Sequence, residues 1–579
     1  MPNNYYIGID VGTGSVRAGL AQDDGTLLAS STEATITYRD PHDHRIFEQS
    51  TNNIWDGMCK TIRAVLAEAK VSPSDVKGLG FDATCSLAVS DMNGDPVVVT
   101  KGDNLGEIGD RNIILWADHR AEEEANLINS TGSVVLDYVG SVMSLEMEIP
   151  KTLWLKKHMA PERFARCQFF DLPDFLTYKA TGDNQRSCCS VTCKCSFVPT
   201  KNGWQPDFFQ KIGLGEFVEN DFKQLGAQGG NVLTAGLPVG KGLSKKAAEE
   251  LGLLEGTPVG SGVIDAYAGW LGTVAGRYKE NDKLSDVPSI DESRHRLAAC
   301  AGTSTCHIVQ QSKEGVFVKG VWGPYKSAIM PGWWMNEGGQ SSTGQLIDFM
   351  IKTHPAYPQL EELANERNTN IHEILASKLN ELCEKEAAAN WTELTKNWHF
   401  YPDLHGNRSP IADPRMRGSI TGLALDDGLH DLARKYNLTQ EAIALQTRHI
   451  VDSMNAAGHD ITAIYMSGGQ AKNAMLMQLF ANTCSVPVVL PNNGGDAVVL
   501  GSAMLGRFAH CAGELGRMSP EDQAQALWNI MIEMTPTATS VPPSADAREK
   551  KLLEAKYKIF LEQIDIQNRW RKEMEEASR

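Results

Sequence analysis

A chain of 579 residues exceeds what one hydrophobic core supports, so two large domains are the default. Hydrophobic residues at 42% and charged residues at 22% describe an ordinary globular protein. A formal net charge of −17, from 72 acidic against 55 basic residues, argues against nucleic acid or an anionic membrane as the main partner. Met1-Pro2-Asn3-Asn4 lacks the basic start and apolar core of a signal peptide, and no apolar run approaches a membrane span, so a cytoplasmic location is expected. The 12 cysteines are too sparse for a disulfide framework.

The organising stretch runs from Tyr6 to Leu20: a β-branched apolar run to Asp10, the turn Gly12-Thr13-Gly14-Ser15, and an alternating return closed by Asp23-Asp24-Gly25. Glycines there let successive N–H groups converge on an anion. Asp10 ends the strand where Mg²⁺ with its waters could bridge a carboxylate and phosphates. An ordinary Gly-rich hairpin accounts for the same residues.

Ile54, Trp55, Met58, Ile62 and Leu66 fall at helical spacing, with Asn52 or Asn53 available as a cap. Two strands then end on acids, Val76–Phe81 at Asp82 and Ile113–Trp116 at Asp118, and strand ends in α/β folds are where ligands meet side chains. A helix cap or turn Asp is the plain alternative for each. Residues 121–183 read as mainly helical, with Glu146 one acid among several. Residues 187–198 read as a strand carrying Cys188, Cys189, Cys193 and Cys195, whose spacing suits buried thiols better than zinc. Gly256 to Ala266 is a further glycine-framed strand end, carrying Asp265 ahead of a helix. Asp265 is a candidate general base, or a cap for that helix.

The polar stretch 277–296, with Asp282, Asp286, Pro288 and Asp291, is the expected linker between a domain at 1–276 and another at 297–547. Leu297 to Val309 repeats the first hairpin, with its turn at Gly302-Thr303-Ser304, and two such hairpins suit a duplicated nucleotide-binding fold able to clamp a triphosphate. Gly338 to Gly344 introduces a helix with Leu346, Ile347 and Met350 on one face. Residues 355–398 read as a helical excursion on the outside, 401–417 as a loop and 439–458 as a helix. The strand Ile461–Met466, then Ser467-Gly468-Gly469-Gln470, then a helix with Met475, Leu476, Leu479 and Phe480 on one face, suits a base or ribose lying flat against backbone, or a plain β–α turn. Residues 548–579 read as a charged, solvated terminal helix.

In order, Ile9-Asp10-Val11-Gly12-Thr13, Trp116-Ala117-Asp118-His119-Arg120, Gly262-Val263-Ile264-Asp265-Ala266, Ala301-Gly302-Thr303-Ser304 and Ser467-Gly468-Gly469-Gln470 resemble the FGGY family of carbohydrate kinases, over residues 5 to 510 or so. Phe81-Asp82-Ala83-Thr84-Cys85-Ser86-Leu87 is closest to the ribulokinase branch, and Thr84 to Leu87 to its D-ribulokinase group. The chain departs from the family at Gly406-Asn407-Arg408, where Gly-Glu-Arg is common, and at Ser467-Gly468-Gly469, where three glycines are common.

The resemblance implies a duplicated actin-like (ribonuclease H-like) α/β ATPase fold of two domains with a cleft, using ATP and Mg²⁺ on a ketopentose, with D-ribulose foremost. It implies Asp265 as catalytic base and Asp10 at the metal. Gly12, Thr13, Gly14, Arg17, Gly302, Thr303 and Ser304 would take phosphate oxygens, and Gly339, Gly344, Gly468, Gly469 and Asn473 the rest of the nucleotide. Asp82, Thr84, Trp116, Asp118, Arg120 and Glu146, with Asp265, would hold the sugar. Homodimers are common among similar kinases, and the sequence leaves the oligomeric state open. So too do L-ribulose, D-xylulose or a polyol as substrate, an actin- or chaperone-like ATPase switch, and a non-catalytic sugar sensor.

Overall fold

The computed structural model describes residues 4–280, 283–492, 494–515 and 517–579; Met1, Pro2, Asn3 and Asp282 lie outside the described residues. The chain divides into two compact units, neither continuous in sequence. The first runs to Ala298 and adds Ile308–Glu337 and Pro491–Thr539; the second comprises Ala299–His307, Gly338–Leu490 and Ser540–Arg579.

In the first unit the strands are β1 (Tyr5–Val11), β2 (Ser15–Gln22), β3 (Leu27–Ala34), β4 (Tyr38–Arg39), β5 (Phe47–Gln49), β6 (Val76–Ala83), β7 (Leu87–Asp91), β8 (Ile113–Ile114), β9 (Cys167–Asp171) and β10 (Val263–Ile264). One five-stranded sheet has the order β10-β6-β1-β2-β3, and another β4-β5-β8-β7-β9. β1 pairs antiparallel with β2 and parallel with β6, and β10 runs parallel to β6. Asp10 is in register with Asp82, and Val263 with Asp82, so three neighbouring parallel strands end together. Ile7, Ile9, Val11, Val16, Ala18 and Leu20 are buried, as the alternating β-branched pattern requires. Gly8 and Gly80 let the helix Ala497–Leu515 press on this sheet: an added Cβ would come within 1.8 Å of the Val499 carbonyl oxygen and 2.0 Å of that of Ser502.

Two expectations for this unit are corrected. The helix Thr51–Ala69 is capped by Ser50, whose side chain accepts from the Asn53 N–H, while Asn53 itself accepts from the Ile36 N–H. Residues 188–193 form a helix rather than a strand, capped by Ser187, whose Oγ accepts from the Cys189 N–H at 3.2 Å. All six of its residues are buried, so no exposed face marked its period. The four cysteines are buried reduced thiols. Segment 121–183 is mainly helical as expected but also contains β9, and Trp116 lies beyond the short β8.

The second hairpin consists of β11 (Arg296–Ala301) and β12 (Thr305–Gln311), followed by β13 (Trp334–Gln340), β14 (Ala463–Ser467) and β15 (Val488–Pro491). In the second unit β14 and β15 pair in parallel. Around them lie the helices Gly344–Lys352, Ile371–Glu386, Trp391–Leu394, Leu429–Ala457, Ala474–Cys484 and Ala547–Ala577. The terminal helix is no solvated tail: Leu553, Tyr557, Phe560 and Ile564 are buried, and a cluster joins Tyr557, Phe560 and Ile564 to Tyr401, Met416 and Leu445. The high charge of residues 547–579 hid that stripe. Met475, grouped with Leu476, Leu479 and Phe480 on one face of its helix, is 46% exposed whereas those three are buried. No helix among the described residues is long and apolar enough to cross a membrane.

Candidate active site

The ends of β1, β6 and β10 bring Asp10, Asp82 and Asp265 together in the first unit. Asp82 is fully buried and its Oδ2 accepts from Ser502 Oγ at 2.5 Å, while its Oδ1 has no hydrogen-bond donor. Burial, then the charge of Asp10, pushes the Asp82 carboxyl well above the usual range. Burial also raises Asp10, held back by the guanidinium of Arg17, whose Nη2 is 3.8 Å from Asp10 Oδ2. Asp265 is raised to about 7 by burial and by Asp10, against a 2.7 Å hydrogen bond from the Ala266 N–H to its Oδ1. It is the first residue of the helix Asp265–Leu271 and remains partly open to solvent. Strand ends thus hold three carboxylates whose burial, with repulsion adding to it at Asp82 and Asp265, favours their protonated forms.

Among the described residues, no group of three or more His, Cys, Asp or Glu is arranged to hold a metal. Mg²⁺ asks for less, one or two carboxylates with water and substrate phosphates supplying the rest. Asp10 with the orphaned Asp82 Oδ1 fits that demand, because a hard cation would offset the negative charge that burial disfavours on both carboxyls.

The turn beside these acids is closed by the Gly12 N–H donating to the Ser15 carbonyl at 2.9 Å. Trp116 Nε1 donates to Thr13 Oγ1 at 3.0 Å, and Gln49 Nε2 to the Thr13 carbonyl at 2.8 Å. Gly14 stays open, with nothing within 4 Å of an added Cβ. Arg17 is engaged with the Gly495 carbonyl at 2.7 Å and Asp496 Oδ1 at 3.2 Å. Half-buried Trp116 takes its backbone support from Ser86 Oγ, 3.1 Å away, which in turn is 3.1 Å from Thr84 Oγ1. Glu146 is buried and, with Asp265 and Lys194, lies within electrostatic reach of the Cys85 thiol.

Asp118 and Arg120 are used differently from the sugar contact expected of them. Arg120 grips Asp118 with Nε at 2.9 Å from Oδ1 and Nη2 at 2.7 Å from Oδ2. The N–H groups of Arg120 and Phe47 donate to the same carboxylate at 2.9 and 2.8 Å. Arg120 also binds Glu48 at 2.8 Å. Every lone-pair direction on Asp118 is taken, so this pair ties β5 to the segment carrying Trp116. Sequence reasoning missed Ser502, distant in the chain, and the buried Lys194–Glu337 pair, 3.3 Å apart, to which Tyr267 OH donates at 3.3 Å. No local motif marks either.

In the second unit the turn Gly302-Thr303-Ser304 borders a cavity of ≈ 790 Å³. Gly302 N–H donates to the Ser304 carbonyl at 2.9 Å, and the Thr303 carbonyl accepts from the Thr343 and Gln345 N–H groups at 3.0 and 3.2 Å. Gly344 fits because an added Cβ would lie 2.5 Å from the Gly302 carbonyl oxygen. Gly468 adopts φ 89° for the same reason, with the Ala301 carbonyl oxygen 2.4 Å from where a Cβ would be. Gly469 and Asn473 line the cavity, and Asn473 caps the helix Ala474–Cys484 while donating to Tyr436 OH at 3.1 Å. Gly339 does not line it; the guanidinium of Arg408 lies over it, 2.9 Å from an added Cβ. Ile347, Ala376, Trp391 and Met475 make the apolar wall, and His372 packs on Tyr436 with ring centroids 5.6 Å apart. Segment 355–398, expected to lie outside, therefore supplies part of the cavity. Gln470, unassigned from sequence, bridges the Gly302 carbonyl at 2.9 Å and Thr343 Oγ1 at 2.7 Å.

An acid cluster at strand ends, a Gly-Thr turn in each half and a deep partly apolar cavity define a phosphotransferase of the actin-like, ribonuclease H-like class. The N-terminal domain model of the FGGY family of carbohydrate kinases matches residues 5–272, and its C-terminal domain model matches residues 297–510. The chain belongs to that family and is a sugar kinase. It is 46% identical over 518 residues to a D-ribulokinase of Saccharomyces cerevisiae, covering 87% of this chain and 72% of that one. It is 41% identical over 571 residues to the human FGGY carbohydrate kinase domain-containing protein, 98% of each. A xylulose kinase from Rhodospirillum rubrum shares the fold at TM-score 0.72, with 18% identity, over 98% of this chain and 99% of that one.

Proposed function

We propose that this chain transfers the γ-phosphoryl of ATP to the terminal hydroxyl of D-ribulose, giving D-ribulose 5-phosphate. The observation carrying the chemistry is Asp265, partly open beside Asp10 and Asp82 with its carboxyl raised to about 7. A base with that proton affinity can take the hydroxyl proton near neutral pH as the oxygen attacks, help worth ~10²–10⁴-fold. In a loose transition state positioning matters more, and the sugar oxygen over Asp265 must lie in line with the departing ADP oxygen.

Asp10, with Asp82 behind it, would hold Mg²⁺, which when bound neutralises phosphate charge. With the Gly12 and Gly302 N–H groups spent on closing their turns, the N–H groups of Thr13, Gly14 and Thr303 would take phosphate oxygens, and the cavity of the second unit would hold the nucleoside. Trp116, fixed by Thr13 and Ser86, offers a flat wall for the sugar, with Thr84 and Glu146 near it as polar partners. Asp118 and Arg120 brace that wall. Choice of D-ribulose rests on kinship to the yeast D-ribulokinase. Pentuloses differ in hydroxyl stereochemistry, and buried polar groups left unpaired penalise the wrong epimer. A coupled ADP assay over D-ribulose, L-ribulose, D-xylulose and a polyol series tests the reading. D-ribulose should show the highest kcat/KM by at least about tenfold; a higher value for another sugar reassigns the substrate.

A further inference from the structure

The terminal helix Ala547–Ala577 lies beyond the residues matched by the family model, and none of its side chains lines the cavity of the second unit. It nevertheless holds three helices that do. Lys556, 2% exposed, donates through Nζ to Glu441 Oε2 at 2.6 Å, to the Thr395 carbonyl at 2.7 Å and to the Trp398 carbonyl at 3.2 Å. Glu441 Oε1 accepts in turn from Thr395 Oγ1 at 2.6 Å and Asn437 Nδ2 at 2.9 Å. Asn437 Nδ2 also reaches the carbonyl of Trp391, a cavity residue, at 3.2 Å. One residue before Asn437 is Tyr436, and one before Glu441 is Gln440; both bind the side chain of Asn473, at 3.1 and 3.0 Å. Two turns earlier on the terminal helix, Glu549 accepts from Thr392 Oγ1 at 3.2 Å and from Asn482 Nδ2 at 3.0 Å.

We infer that Lys556 is a positioning residue for the nucleotide, acting through Glu441 and Asn437 on Trp391, Tyr436 and Asn473. A buried ammonium has only its three hydrogen bonds to replace water, so its geometry is strict, and removing it leaves Glu441 buried without its counter-charge. The terminal helix thereby sets the separation between the cavity walls contributed by Trp391–Leu394, Leu429–Ala457 and Ala474–Cys484. This rests on the cavity being the nucleotide site.

The test compares full-length wild type with Lys556→Met and Glu441→Gln. Lys556→Met should raise KM for ATP at least tenfold, with kcat at saturating ATP and KM for sugar within twofold, and Glu441→Gln should fall between it and wild type. A purely structural role lowers the active fraction, hence kcat, and leaves KM for ATP unchanged; that result overturns the proposal. Hydrogen exchange on the wild-type chain covers the case of a variant that fails to fold. ATP should slow exchange across residues 547–564, and no change there overturns the coupling. Ala376→Trp, which fills the cavity, separates the two readings: unchanged KM for ATP in that variant removes the nucleotide site itself.

Discussion

The two Gly-Thr turns share a backbone and differ in what surrounds them. Each begins with a glycine N–H donating to a carbonyl within its own turn at 2.9 Å, from Ser15 in the first and Ser304 in the second. Two residues before the first turn stands Asp10, paired in register with Asp82 and Arg17. Two residues before the second stands Cys300, and that turn borders a cavity whose apolar wall includes Ile347, Ala376, Trp391 and Met475. In the proposed reading both turns cradle phosphate, and the neighbouring strand ends decide whether the turn serves chemistry or binding. In the first unit carboxyls are concentrated and perturbed chiefly by burial. In the second, space is provided, and the charged groups that line it, Asp348, Glu373 and Lys472, stand around a cavity rather than in a buried cluster.

The largest expected effect separates those roles. Asp265→Asn keeps shape and removes the base, so kcat should fall by ~10²–10⁴ while ATP affinity, measured by calorimetry, stays within a factor of two. Loss of ATP affinity in that variant would mean the acid cluster shapes the nucleotide site as well, and the division of labour would fail. The same carboxyl gives a pH dependence. With Asp265 raised to about 7, kcat in wild type should climb as pH rises through that value, because the base must be unprotonated to accept. A flat kcat from pH 6 to 8 would assign the proton elsewhere.

Next come the glycines, which sharpen the contrast between support and contact. Gly468→Ala puts a Cβ on a residue with φ 89°, 2.4 Å from the Ala301 carbonyl oxygen. It should cost about 1–3 kcal/mol of stability together with ATP affinity. Gly302→Ala meets nothing within 4 Å. It should leave the denaturation midpoint unchanged and raise KM for ATP about tenfold, the ~1.4 kcal/mol of a lost contact. A Gly302→Ala protein with normal KM would show that this turn does not touch the nucleotide.

How much of this was legible in the sequence follows the range of the signal. Asp10, Asp82 and Asp265 could be found because each closes a short apolar run with a glycine or turn residue nearby, a local pattern. Their partner Ser502 could not, since it lies mid-helix, 420 positions from Asp82, with no motif around it. Asp118 was read as a strand-end acid, but its strand stops at Ile114, and nothing local showed that Arg120, two residues on, would saturate it. The helix at Cys188 was misread because complete burial erases the periodicity on which helix and strand are told apart. The terminal helix was misread for the opposite reason: six buried residues among thirty-one do not outweigh a charged composition, although Lys556 is one of the six.

The smallest effect on activity, and a test of whether burial holds a carboxyl of the first unit protonated away from the strand-end cluster, comes from Asp174. This carboxyl is buried, accepts from the Ser187 N–H at 2.8 Å through Oδ1 and leaves Oδ2 without a donor. Burial raises it to about 7, against the pull of the Arg186 guanidinium. In the unfolded chain it titrates near 4. Its contribution is therefore fully present below about pH 4, declines as pH rises because folding must hold on to a proton that the unfolded chain has lost, and is spent above about pH 7. Asp174→Asn keeps the acceptor for Ser187 and removes the titration. Between pH 5 and 7, urea unfolding of wild type should lose about 1.4 kcal/mol per pH unit more than the variant does, with kcat and both KM values unchanged. Equal slopes would mean that Asp174 is ionised in the fold, its charge held by Arg186.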